Sequence, residues 1–191
     1  MRLLLIRHGK TDANERHLYC GSTDLSLSEM GKEELMHLRG SVVYPDITGM
    51  RIITSGMRRC NETMRILYGD IGSETDEALQ EMDFGAFEMK SYEEMKDDDD
   101  YIAWITGDNE RNITPDGESG EQMKARALAS LARITADGKD AAVFTHGGVI
   151  AAYMAEKFPH ENKNRYEWQP APGRGYEIEI DACGNYAYRA I

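Results

Sequence analysis

Three short runs limit what this chain can fold into. Arg2–Ile6, Arg51–Thr54 and Ala141–Thr145 are almost continuously apolar inside. A strand with one wet face alternates apolar and polar residues, whereas continuous runs suit strands covered on both faces, as in parallel sheets flanked by helices. Helical patterns fit that arrangement. Arg58–Tyr68 follows the second run, Val149–Phe158 follows the third, and another helix is expected over Ser28–Leu38. The longest should start near Glu118 and end before Asp137-Gly138, with Met123, Ala127, Leu131 and Ile134 on one face. Ser119 and Gln122 have capping-box spacing at its start. Tyr176–Ile180 alternates with period two, a turn follows, and Tyr186–Arg189 continues, which predicts an antiparallel hairpin on the sheet's edge. Ser73–Ile113 carries many turn residues and a helical pattern near Ser91–Ile105. The expectation is α/β: a three-layer α/β/α sandwich with a mainly parallel sheet. It forms a single domain over 1–191, with an inserted lobe over roughly 73–113.

Composition narrows the function. With 22 Lys and Arg against 34 Asp and Glu, the net charge is −12. So acidic a chain is a poor binder of nucleic acid or anionic membrane. The longest apolar stretch, Val149 to Ala155, is far short of the ~20 residues of a membrane span. The apolar run at the start is too short for a signal peptide. Cys20, Cys60 and Cys183 form no zinc spacing, and their odd number argues against a disulfide framework. The reading is a cytoplasmic protein with neither nucleic acid nor membrane as a partner. The sequence alone sets no oligomeric state.

Chemistry gathers where the three strands end. The first runs into Arg7-His8-Gly9, the second into Ser55-Gly56-Met57-Arg58-Arg59, the third into His146-Gly147-Gly148. In open α/β sheets ligands bind at the carboxyl ends of the strands. Two histidines and at least two arginines should therefore meet at one edge. Glycines beside both histidines allow close backbone approach. Helices opening after the second and third strands favour anions at their N-termini. Together with arginine forks, this describes a phosphate pocket. A metal would normally need a carboxylate or thiolate close by, and arginines would repel it. The competing use is a neutral imidazole attacking phosphorus. Neighbouring arginines disfavour a histidine's charged form and neutralise the transferring phosphoryl oxygens.

Arg7-His8-Gly9-Lys10-Thr11 with Asn14 resembles the R-H-G-x-T-x-x-N signature of the histidine phosphatase, or phosphoglycerate mutase-like, superfamily. The resemblance covers nearly the whole chain, through six elements in order. Cys20-Gly21, Asp24, Leu27 and Gly31 follow the signature. Ser55, Arg59 and Thr63 match an S-x-x-x-R-x-x-x-T element, and Leu79-Gln80-Glu81 with Phe84-Gly85 and Glu88 matches the proton-donor stretch. Pro115 to Ser119 matches P-x-G-E-S, and His146 to Ile150 the second histidine element. The resemblance implies a phosphohistidine on His8, phosphoryl binding by Arg7, Arg59 and His146, and Glu81 as general acid and then base. It implies substrate contacts from Asn14, Thr11, Cys20, Gly21 and the Gly147 N–H. No cofactor and no metal are implied.

The expected activity is hydrolysis of a small phosphorylated metabolite. A phosphoglycerate mutase using the same pocket, or a non-catalytic phosphate-ligand binding module, are the alternatives. Trp104 ahead of the P-x-G-E-S element is similar to small bacterial alpha-ribazole phosphatases. The sequence departs from the commoner pattern at Lys10, Ala13, Cys20, Gly56-Met57 and Met89, mostly at the pocket's rim. Glu81 competes with Glu74, Glu77, Asp83 and Glu88 nearby. The Asp97–Asp100 run reads as a solvated face.

Overall fold

The computed structural model describes residues 1–108 and 110–191. Six strands form one sheet in the order β3-β2-β4-β1-β5-β6. They are β1 (Arg2–Arg7), β2 (Arg51–Thr54), β3 (Glu74–Thr75), β4 (Ala141–Thr145), β5 (Gly175–Ile180) and β6 (Tyr186–Ala190). The three apolar runs become adjacent parallel strands: Leu3 to Arg7 pairs with Ala141 to Thr145, and Arg51 to Thr54 with Ala141 to Phe144. The C-terminal hairpin forms as expected. Its first strand joins β1 antiparallel, with Leu5 opposite Tyr176, so β6 forms the sheet's edge on that side. β3, a two-residue parallel partner of β2, carried no sequence signal.

Both faces of the sheet are covered. On one, Leu4, Ile6, Ala142 and Phe144 pack against Leu35 of α2 (Glu29–Ser41) and Cys60, Met64 and Leu67 of α3 (Arg58–Tyr68). On the other, Leu3, Leu5, Ala141 and Val143 meet Met123, Ala127, Leu131 and Ile134 of α6 (Gly120–Thr135) and Val149 and Met154 of α7 (Gly147–Lys157). The strands' continuous apolarity follows from this double cover. A leucine or isoleucine so buried contributes roughly 1.5–3 kcal/mol.

Four short helices complete the set: α1 (Asp12–Glu15), α4 (Tyr92–Met95), α5 (Asp99–Thr106) and α8 (Arg165–Trp168). The helical pattern expected over Ser91–Ile105 is thus two helices rather than one. Ser91 caps the first. Asp98 breaks the run by accepting from the N–H groups of Asp100 and Tyr101, which makes it the cap of α5. Part of the acidic run is therefore structural, because an aspartate outside a helix satisfies two otherwise unpaired donors. The long helix starts where expected, with Ser119 and Gln122 closing a capping box. Among the described residues no helix is long and apolar enough to cross a membrane.

Candidate active site

The parallel pairing of β2, β4 and β1 aligns their C-terminal ends. The ladder runs on beyond them: His8 N–H donates to Thr145 O at 3.0 Å and Ser55 N–H to Phe144 O at 3.2 Å. Arg7, His8, Ser55 and His146 are therefore carried at the ends of the sheet's central, hydrogen-bonded strands. The His8 and His146 rings lie 5.1 Å apart, edge to face.

His8 is 6% exposed. Its Nδ1 lies 2.6 Å from Gly9 O. A carbonyl can only accept, so Nδ1 carries the ring proton and Nε2 keeps its lone pair. Burial, and then the charges of Arg59 and Arg7, hold the imidazole well below its usual range. The result is a neutral, oriented imidazole with a free Nε2. Gly9 packs tightly here: its N–H donates to Thr63 Oγ1 at 2.9 Å, and a Cβ would come within 2.6 Å of the Leu35 side chain.

His146 is fully buried, and its Nε2 lies 2.9 Å from Ser55 Oγ and 3.5 Å from Cys60 Sγ. Its Nδ1 is buried with no partner among the described residues, and so is Nε of Arg7. Where the Ser55 hydroxyl donates to Nε2, the His146 proton sits on Nδ1. An unsatisfied buried donor costs about 1–3 kcal/mol. Arg7 Nε is such a donor, and His146 Nδ1 is another in that tautomer, so an anion's oxygens placed there would complete the hydrogen bonding. Arg7 also donates from Nη1 to Pro170 O at 2.7 Å, which fixes its fork.

Arg59, 1% exposed, donates to Thr23 O at 2.8 Å and Gly21 O at 2.7 Å. That loop is held from its other side by Glu88. Its carboxylate accepts from the N–H groups of Gly21, Ser22, Thr23 and Phe84 and from the Thr23 hydroxyl. Glu88 and Arg59 thus grip one strip of backbone by its N–H and C=O groups respectively. Gly21 admits no side chain, since a Cβ would fall 1.6 Å from Met82 O.

Glu81 faces the nucleophile across a cavity of about 260 Å³ that Arg7, His8, Asn14, Cys20 and Gly148 also line. Its carboxylate accepts from Gly148 N–H at 2.8 Å, in the first turn of α7, and from Met82 N–H at 3.0 Å. The helix terminus thus positions it. A Cβ on Gly148 would strike Glu81 Oε1 at 2.3 Å.

Of the expected site residues, Arg7, His8, Asn14, Cys20 and Glu81 line the cavity, while Arg59 and His146 are buried behind its wall. Thr11, Gly21 and Gly147 are not on that wall. Thr11 is the buried cap of α1, sharing a capping box with Asn14. Gly21 acts through its carbonyl on Arg59. Gly147 packs against Gln169, where a Cβ would meet Nε2 at 2.2 Å. Burial raises the Cys20 thiol's pKa, which suits wall packing rather than nucleophilic attack. Sequence reasoning missed the rest of the wall: Leu18, Tyr19, Met82, Ile105, Arg165, Tyr166 and Gln169.

The buried histidines predict a pH dependence of stability. Burial and the surrounding arginines lower both from 6.5. Below pH 6.5 the unfolded chain binds protons that the folded one refuses, so stability falls as pH falls. From pH 6.5 to 5.5 each histidine should cost about 1 kcal/mol, about 2 together. Urea unfolding at the two pH values measures this, and His146→Gln should remove about half of the drop.

A neutral histidine, two buried arginines, an unpartnered donor and a facing carboxylate at one sheet edge suit the binding of a phosphoryl group. The chain belongs to the histidine phosphatase superfamily (branch 1), whose family model matches residues 3–189. It is 28% identical to an adenosylcobalamin/alpha-ribazole phosphatase of Salmonella typhimurium, over 98% of this chain and 93% of that protein. The alpha-ribazole phosphatase of Shigella flexneri superposes with a TM-score of 0.84 at 27% identity, covering 100% of this chain and 96% of that one. A phosphoglycerate mutase of Thermus thermophilus superposes with a TM-score of 0.70 at 25% identity, over 98% and 96%.

Proposed function

We propose that this protein is a phosphomonoesterase that transfers the phosphoryl group of a small metabolite to His8 Nε2 and then to water. The observation that carries the reading is His8 itself: its Nδ1 is committed to Gly9 O, which leaves Nε2 free, and it lines one cavity with Arg7, whose Nε is buried and unpartnered. Arg7 and His146 bind the phosphoryl oxygens, and the charge of Arg59 supports them from behind. Asn14, whose Oδ1 accepts from Thr11 N–H and Oγ1, keeps its amide for the ester. Glu81 protonates the leaving oxygen and then takes a proton from the attacking water. This chemistry asks for no metal.

Water access favours hydrolysis over retention of the phosphoryl group. The cavity adjoins a broader groove of about 590 Å³ with which it shares Arg7, Asn14, Leu18, Tyr19, Tyr166 and Gln169. The far wall favours a leaving group with an apolar ring. Leu18, Tyr19, Met82, Phe84, Trp104 and Ile105 line it, and such surfaces gain from burying flat apolar area. The alpha-ribazole phosphatases it resembles are named for an ester of that kind. The three free thiols suit a cytoplasmic site of action.

The test is phosphate release without added metal from alpha-ribazole 5′-phosphate, sugar phosphates and 3-phosphoglycerate. The ring-bearing ester should have the highest kcat/KM, by about tenfold or more for each 1.4 kcal/mol the wall supplies. Phosphoryl exchange between phosphoglycerates with no net release would replace hydrolysis by mutase activity.

A further inference from the structure

The backbone that delivers Glu81 rests on one guanidinium. Arg126, in the second turn of α6, donates from Nη1 to Gln80 O at 2.6 Å and Ala78 O at 3.0 Å, and from Nη2 to Glu81 O at 2.8 Å. Its Nε donates to Glu118 Oε2 at 3.1 Å and its Nη2 also to Glu118 Oε1. All five N–H donors of the side chain are engaged. Glu118 Oε1 accepts the Asp83 N–H at 3.0 Å. The pair therefore grips the main chain at 78, 80, 81 and 83, on both sides of the residue that faces His8. From the front, Gly148 N–H holds the carboxylate itself.

An ion pair that only tied α6 to the body of the protein would need one carboxylate. Partly exposed pairs of that kind contribute roughly 0–1 kcal/mol. Here three hydrogen bonds go to carbonyls of a single tetrapeptide whose conformation sets where Glu81 points. Both side chains are more buried than exposed, at 28% and 18%. We propose that Arg126, oriented by Glu118, is a positioning residue for proton transfer: it fixes the 78–83 segment so that the Glu81 carboxyl meets the leaving oxygen. The inference rests on the reading of Glu81 as general acid.

The experiment compares kcat/KM on an alkyl phosphate and on p-nitrophenyl phosphate, whose leaving group needs little protonation. Wild type, Glu81→Gln, Arg126→Met and Arg126→Lys are measured, with folding checked by circular dichroism. Arg126→Met should lose about 100-fold on the alkyl ester, the order of a misplaced catalytic group, and only a few-fold on the nitrophenyl ester. Arg126→Lys keeps the charge but reaches fewer carbonyls; it should show the same selectivity with a smaller loss, and it carries the comparison if the methionine variant does not fold. Equal losses on both esters, or none, in a folded Arg126 variant would overturn the positioning role while a selective Glu81→Gln left the acid assignment standing. A Glu81→Gln variant without selectivity overturns both.

Discussion

His8→Ala is expected to lower kcat on every phosphomonoester by roughly 10⁴-fold or more, the scale of losing a covalent nucleophile. No neighbour can replace it. His146 is fully buried, with Nε2 already engaged by Ser55. The thiol of Cys60 is pushed up to about 12 by burial, and that of Cys20 is raised as well. The variant should stay folded and still bind phosphate, because Arg7 Nε and His146 Nδ1 are untouched. A steady-state comparison on one good substrate, with phosphate binding measured by calorimetry, checks both halves. Substantial turnover in His8→Ala would remove the covalent step.

Glu81→Gln should lower kcat/KM on an alkyl phosphate by about 10³-fold, within the usual 10²–10⁴ range for general acid catalysis. On p-nitrophenyl phosphate the loss in kcat/KM should stay within about tenfold, because that leaving group departs as an anion. The ratio kcat/KM reports events up to the first irreversible step, so it isolates proton donation. The later water attack needs the same carboxylate as base, so kcat on p-nitrophenyl phosphate should fall while phosphoenzyme accumulates. The glutamine keeps an oxygen for Gly148 N–H and should preserve the local structure. Equal losses in kcat/KM on both esters would take Glu81 out of the acid role.

Most of the scaffold was legible because its signals are local. The continuous apolarity of β1, β2 and β4 follows from helices on both faces, and Ser119 with Gln122 marks the start of α6 by a contact three residues long. The strand ends could be brought together on paper because parallel pairing aligns them. What stayed hidden depends on contacts between distant segments. Arg126 looks like any arginine on an amphipathic helix. Its partners sit 45 to 48 residues earlier in the chain, and nothing in the spacing joins them. Thr11 and Gly21 stand in the expected motif yet off the wall. One caps a helix and the other offers a carbonyl to Arg59, and motif spacing gave no sign of either role. The break at Asp98 was obscured by its own neighbours: all four aspartates are exposed, as expected, and one of them also caps a helix. Tyr166 and Gln169 come from beyond every motif and reach the cavity only because the chain around α8 runs past it.

Covalent phosphoryl transfer to His8 followed by hydrolysis is the central claim, and rapid acid-free quenching with a ³²P-labelled ester tests it most directly. Mixing enzyme and substrate without metal should give a burst of alkali-stable, acid-labile label on His8, decaying to inorganic phosphate at least as fast as steady-state turnover. The label should be absent from His8→Ala. Phosphate released with no labelled histidine at any time, or a His8 label that persists without yielding phosphate, would contradict the account.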